Sequence, residues 1–301
     1  MGSGCFSASS YADYSVSKGR SYDHNTGRVK GQSYDATYLN EALNPRKFQI
    51  RECANSDEHP NTIPVILALD VTGSMGEACH ETAAALGTIM KNLYNKFKDV
   101  EFCIMGIGDL AYDDAPIQMS QFESDIRIAE ALDKLWMEHG GGGNSYESYT
   151  AAWYMGLYRT KLDCYDKQGR KGIIITMGDE PLNPYLPVDG YHGLNRTINE
   201  SIENDIDTQE LYNKAREKFD IFHIAVDSPM DCYRGYKDQI EKSFGQVLGN
   251  RFKVSSVNNL AQTIEECIAE SINNSNGGLV DIEMVDTGSN TNINEHGQIT
   301  W

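Results

Sequence analysis

Residues 64–70, PVILALD, are apolar without a break until they close on an acid. Such a run is the pattern of a strand buried on both faces. A helical pattern follows from Glu77, with Leu86, Ile89, Met90, Leu93 and Phe97 on one face. VEFCIMGIGD at 100–109 predicts a second buried strand, and IQMSQF at 117–122 a short edge strand. SDIRIAEALDKLW then predicts a helix with Ser124 as its N-cap. After the glycine run GGGGN at 140–144, a helix is expected over about 147–162, and KGIIITMGDEP at 171–181 supplies a third central strand. An irregular loop over 182–206 carries Tyr185, Asp189, His192 and Asn195. The remaining pattern is a helix near 208–218, a strand at 220–226, a helix near 233–246, a strand at 251–256 and a last helix at 258–273.

Strand and helix alternate throughout. The prediction is an α/β fold, doubly wound, with a mostly parallel central sheet and helices on both faces. Ligands of such folds sit beyond the carboxyl ends of the strands, at the switch in strand order. Three regions are expected: an N-terminal arm of low regular structure at 1–59, rich in Ser, Tyr, Gly and Asn; the α/β domain at 60–275; and an acidic flexible tail at 276–301 ending in Trp301.

Charge narrows the function. Lys and Arg number 26 against 44 Asp and Glu, a net of −18. The arm is neutral, and the tail holds four acids and no Lys or Arg, so −14 belongs to residues 60–275. An acidic domain argues against nucleic acid and anionic membrane as partners, and favours basic partners or sites that hold cations. No run reaches the length of a membrane span and no signal-peptide core is present, so the expected location is the cytoplasm, or an assembled particle. MGSGCFS misses a myristoylation signal at Phe6. The seven cysteines contain no CxxC pair and read as buried small hydrophobes in a reducing compartment. No GK[ST] follows the glycine run, so it is not a nucleotide P-loop.

Oxygen donors collect where the sheet would place its site. Asp70, Thr72 and Ser74 follow the first central strand, Asn144 to Glu147 follow the glycine run, and Asp179 with Glu180 follows the third strand. Side chains alternate along an extended chain, so residues i, i+2 and i+4 converge as the strand opens into a loop. One acid and two hydroxyls form a hard donor set suited to Mg²⁺, with Mn²⁺ or Ca²⁺ as alternatives. Asp109, after GIG, is either a supporting group or an exposed acid.

The DxTxS of Asp70, Thr72 and Ser74, with the strand order over 62–273, resembles the von Willebrand factor type A family, whose usual form is DxSxS. The resemblance implies a metal-ion-dependent adhesion site. Asp70, Thr72 and Ser74 would come from its first loop, Asp179 would be the third-loop acid, and Asn144 would take the second-loop place, with Glu147 or Ser145 as substitutes. Two departures stand out: Met177 and Gly178 intervene before the acid, and the second loop lacks a threonine after the glycines. The implied function is a non-enzymatic, metal-dependent protein-interaction module, a subunit or adaptor whose partner presents an acidic side chain. The family's bacterial members also suggest an AAA+ ATPase of the MoxR type, or assembly neighbours, as partners. One alternative is a structural component of a phage or other large particle with a vestigial or stabilising metal. Another is a haloacid-dehalogenase-type phosphohydrolase, which would want an acid where Thr72 stands.

Overall fold

The computed structural model describes residues 4–30, 36–75, 84, 88–90, 92–97, 99–138, 146–190, 192–227 and 233–275. The side chain of Ser74, the start of the helix at Glu77, the glycine run with Asn144 and Ser145, and the tail at 276–301 lie outside the described residues.

Six strands form the central sheet: β1 (Ile63–Asp70), β2 (Val100–Ile107), β3 (Ile117–Met119), β4 (Gly172–Gly178), β5 (Phe219–Asp227) and β6 (Phe252–Ser256). Their spatial order is β3-β2-β1-β4-β5-β6. All pairs are parallel except β2 with β3, which is antiparallel. This is the doubly wound order, with its switch point between β1 and β4.

The apolar run of β1 divides its side chains between two cores. Val65, Leu67 and Leu69 pack on one side with Ile89, Leu93, Leu132 and Ile268. Ile66 and Ala68 pack on the other with Trp153, Leu211 and Phe244. Burial on both faces is why the run shows no polar alternation. The helices Thr208–Lys218, Tyr233–Leu248 and Leu260–Ser275 follow the predicted pattern, with ends differing by a residue or two. No helix among the described residues is long and apolar enough to cross a membrane.

The arm is ordered against its own domain. It carries a helix, Ala8–Ser17, capped by the Ser7 hydroxyl accepting from Ser10 N. Its Phe6, Tyr11, Val29 and Leu43 join the first core. Low aliphatic content is offset by aromatic burial, with Phe6 stacked 5.8 Å from Tyr94. The arm also explains two other differences. Ser124 does not cap the following helix, Arg127–Asp133; its hydroxyl donates to the Gly4 carbonyl, and Asp125 accepts from Arg127 N instead. The helix expected over 147–162 is confined to Thr150–Arg159, because Thr160–Leu162 pairs as a parallel strand with Arg51–Cys53 of the arm. Arg159, buried at that helix end, donates to the carbonyls of Phe48 and Ile198 and pairs with Glu200.

The loop over 182–206 is less irregular than expected. Tyr185–Leu186 pairs with Ile206–Asp207, and Leu194–Ile198 forms a short helix.

Candidate metal centre

Register brings the site together. Leu69 of β1 lies opposite Met177 of β4, so Asp70 ends its strand level with Gly178 and Asp179 stands one residue beyond. Asp70 and Asp179 are both fully buried, and the field of Asp179 acts on Asp70. Thr72 turns back on Asp70, its backbone N–H and its hydroxyl both donating to Oδ1, at 2.9 and 2.6 Å.

The second loop enters from the helix side. Glu147 forms a parallel bridge with Leu182, Ser148 N donates to the Gly108 carbonyl, and Leu110 N donates to the Ser148 hydroxyl. Three loops are thereby knitted at one end of the sheet. They carry Asp109, Asp113, Glu147, Asp179 and Glu180 around Asp70 at the end of β1, and all six are buried. Glu147 Oε2 and Glu180 Oε2 have no hydrogen-bond partner.

Burial and mutual repulsion dominate the electrostatics. Burial, then Asp179, raises the Asp70 carboxyl. Burial, then Asp70 and Glu180, holds Glu147 well above the usual carboxylate range. Burial, then Asp70 and Asp179, pushes Glu180 up to about 8. Glu138, which accepts from Asp114 N and Ala115 N, is raised to about 7 by burial and then by Asp113.

Tyr149 completes the arrangement and was not singled out in the sequence. Fully buried, it donates to Asp70 Oδ2 at 2.8 Å and accepts from Glu180 N at 3.3 Å. It therefore ties the first loop to the third. Gly178 makes this possible, since a Cβ there would overlap the Tyr149 hydroxyl. The glycine that interrupts the family-like pattern before Asp179 has this steric reason. An aromatic at a helix start reads as core, so only the paired glycine could have pointed to it.

Among the described residues, no three His, Cys, Asp or Glu side chains converge closely enough to hold a metal ion by themselves. Asp70 and Asp179 are two acids, and the remaining expected donors of the first loop are the hydroxyls of Thr72 and Ser74. A site built from two acids and neutral hydroxyls fits that finding. The unpartnered oxygens of Glu147 and Glu180 lie outside such a set and act on it through their charge.

A pH dependence follows. Glu147 and Glu180 bind protons more tightly in the folded chain than in the unfolded one, where carboxyls titrate near 4.3. Their contribution is fully present below that value and is lost as pH rises through the folded values. In chelator, urea-derived stability should therefore fall between about pH 4.5 and the Glu180 value of about 8, and saturating Mg²⁺ should flatten the fall. Parallel profiles with and without Mg²⁺ would count against a cation among these carboxyls.

No protein-family model matches the sequence, and neither does any curated protein. Among solved structures, the pilus adhesin SpaC of Lactobacillus rhamnosus GG in its open conformation is similar over 73% of this chain and 31% of its own, at 13% identity and a TM-score of 0.49. The vWF domain of the type V pili tip protein Mfa5 of Porphyromonas gingivalis is similar over 73% of this chain and 98% of its own, at 13% identity and a TM-score of 0.41. The chain thus spans about a third of the adhesin's length. The fold assignment rests on strand order and register: a doubly wound sheet with one antiparallel edge strand, consistent with a von Willebrand factor type A or Rossmann-like fold.

Proposed function

We propose that this chain is a protein-interaction module whose loop cluster is completed by a divalent cation, Mg²⁺ in the first place. The observation that carries the reading is the burial of Asp70 and Asp179 side by side, with the unpartnered oxygens of Glu147 and Glu180 next to them. Buried charge of one sign calls for a counter-charge. Asp70, Thr72, Ser74 and Asp179 would hold the ion, with Glu147 or Asn144 from the second loop. When bound, the ion offers a coordination position to an Asp or Glu side chain of a partner protein. Thr72 keeps its hydroxyl on Asp70, and Tyr149 holds Asp70 and the start of the third loop in place.

A binding role is favoured over a catalytic one. The position two residues after Asp70 is a threonine that donates to it, so an acid–base partner for phosphoryl transfer is absent there. Cys53, Cys103, Cys164 and Cys267 are buried, and burial raises each thiol.

Two titrations test the reading. Calorimetry of Mg²⁺ and Mn²⁺ into chelator-treated protein should show one site, lost in Asp179→Ala; no heat in the parent would end the proposal. Acetate added to the Mn²⁺-loaded protein should lower the water-proton relaxivity as a carboxylate displaces bound water. Unchanged relaxivity would mean a site closed by this chain's own groups, and the adhesive role would fall.

A further inference from the structure

Beside the acidic cluster, the same loops enclose a separate cavity of about 130 Å³. Its rim is aromatic: Tyr146 and Tyr185 line it and remain 41% and 49% exposed. Pro184 adds an apolar wall, and Asp109 lies at the side nearest the cluster.

Two neutral side chains of the wall already have partners within the chain. Ser148 Oγ accepts from Leu110 N. Asn183 donates to the Thr150 hydroxyl and to the Tyr185 carbonyl. What the cavity offers an occupant is therefore tyrosine ring faces, proline surface and negative charge. No Lys or Arg is among the described residues lining it. Asp109 belongs to a group of buried acids that includes Glu147, Glu180 and Asp113, within a domain of formal charge −14.

We propose that this cavity receives a basic side chain, Arg or Lys, from a partner protein. The aliphatic stem lies against Pro184 and the tyrosine rings, and the cationic head points toward Asp109. Tyrosine faces attract a cation through their quadrupole, more strongly as it is desolvated. Exposed aromatics around a small pocket are also the residue type that dominates binding at protein interfaces. Among possible occupants, a neutral sugar or peptide would leave the acidic side of the cavity without a counter-charge. An acidic side chain would meet repulsion. The partner surface is thus basic at this point, whatever it presents to the cation.

The inference stands apart from the cation reading, so the test is run in chelator. Protein carrying ¹³C-labelled tyrosine rings is titrated with the capped pentapeptide Gly-Ser-Arg-Ser-Gly, and with the same peptide carrying citrulline for arginine. Citrulline keeps the shape and removes the charge. Saturable shifts of the Tyr146 and Tyr185 rings are expected, with binding about tenfold weaker for citrulline. Tyr185→Leu should weaken the arginine peptide about fivefold, and Tyr146→Leu gives an independent second variant. Equal affinity of the two peptides would overturn the proposal. So would arginine-peptide shifts that neither variant alters, since they would reflect diffuse attraction to an acidic surface. Repeating the titration in Mg²⁺ changes neither criterion.

Discussion

Replacing Asp70 by Asn is expected to erase the effect of a divalent cation on the melting temperature, while leaving the cation-free protein at least as stable as its parent. The first half is linkage: an ion that binds only the folded chain stabilises it by about 2.7 kcal/mol at a hundredfold excess over its dissociation constant. For a domain of this size that is roughly 5 to 10 °C. The second half follows from the contacts. Asn retains an Oδ1 acceptor for Thr72 N and its hydroxyl, replaces the Oδ2 that accepts from Tyr149 with an amide that can donate to the same hydroxyl, and removes one charge from a group that Asp179 already repels. Scanning calorimetry in chelator and in Mg²⁺ reads both halves. A variant that still gains the parental shift would place the ion elsewhere. A cation-free variant several degrees less stable would mean that the Asp70 charge is satisfied within the chain.

Phe244→Ala should cost about 3–5 kcal/mol, the range for removing a fully buried aromatic ring. Phe244 is inaccessible to solvent and stacks on His223 with ring centroids 3.6 Å apart and planes 10° apart. It also lies 5.7 Å from the ring of Tyr149, whose hydroxyl donates to Asp70. The loss should depend on pH in a definite sense. Burial holds His223 neutral, well below its usual value. In the parent, therefore, the unfolded chain takes up the proton first, and stability is lost as pH falls through about 6.5. Opening the site to water lets the imidazole protonate in the folded variant too. The gap between parent and variant should be widest near pH 8 and narrow toward pH 5.5 in urea titrations. A constant gap would show that His223 stays dry without its neighbour.

The central strands were legible because burial on both faces writes itself as an uninterrupted apolar run, as in Val65 to Leu69 and Ile173 to Ile175. Asp70 and Asp179 were legible for the related reason that a charged residue ending such a run marks the sheet's carboxyl edge. The arm was not. Its helix is mostly Ser, Ala and Tyr, and what orders it is the surface it covers. The strand at Thr160–Leu162 exists because Arg51–Cys53 lies beside it, a pairing across more than a hundred residues that no local window contains. Tyr149 was hidden for a different reason. Its role depends on a hydroxyl reaching Asp70 past a glycine in another strand, whereas its local signal is that of any core aromatic.

The same pairing orders events during synthesis. Arg51–Cys53 leaves the ribosome long before Thr160–Leu162 exists to receive it, and the Phe48 carbonyl waits for Arg159. Phe6 needs Tyr94 and the carbonyl of Ser124. The segment that bears Phe6 is thus made well before the partners that seat it, and its aromatic side chains wait for the sheet to close. A nascent chain halted near residue 120 should present this segment to proteases and chaperones, and one released after the helix Leu260–Ser275 is made should conceal it.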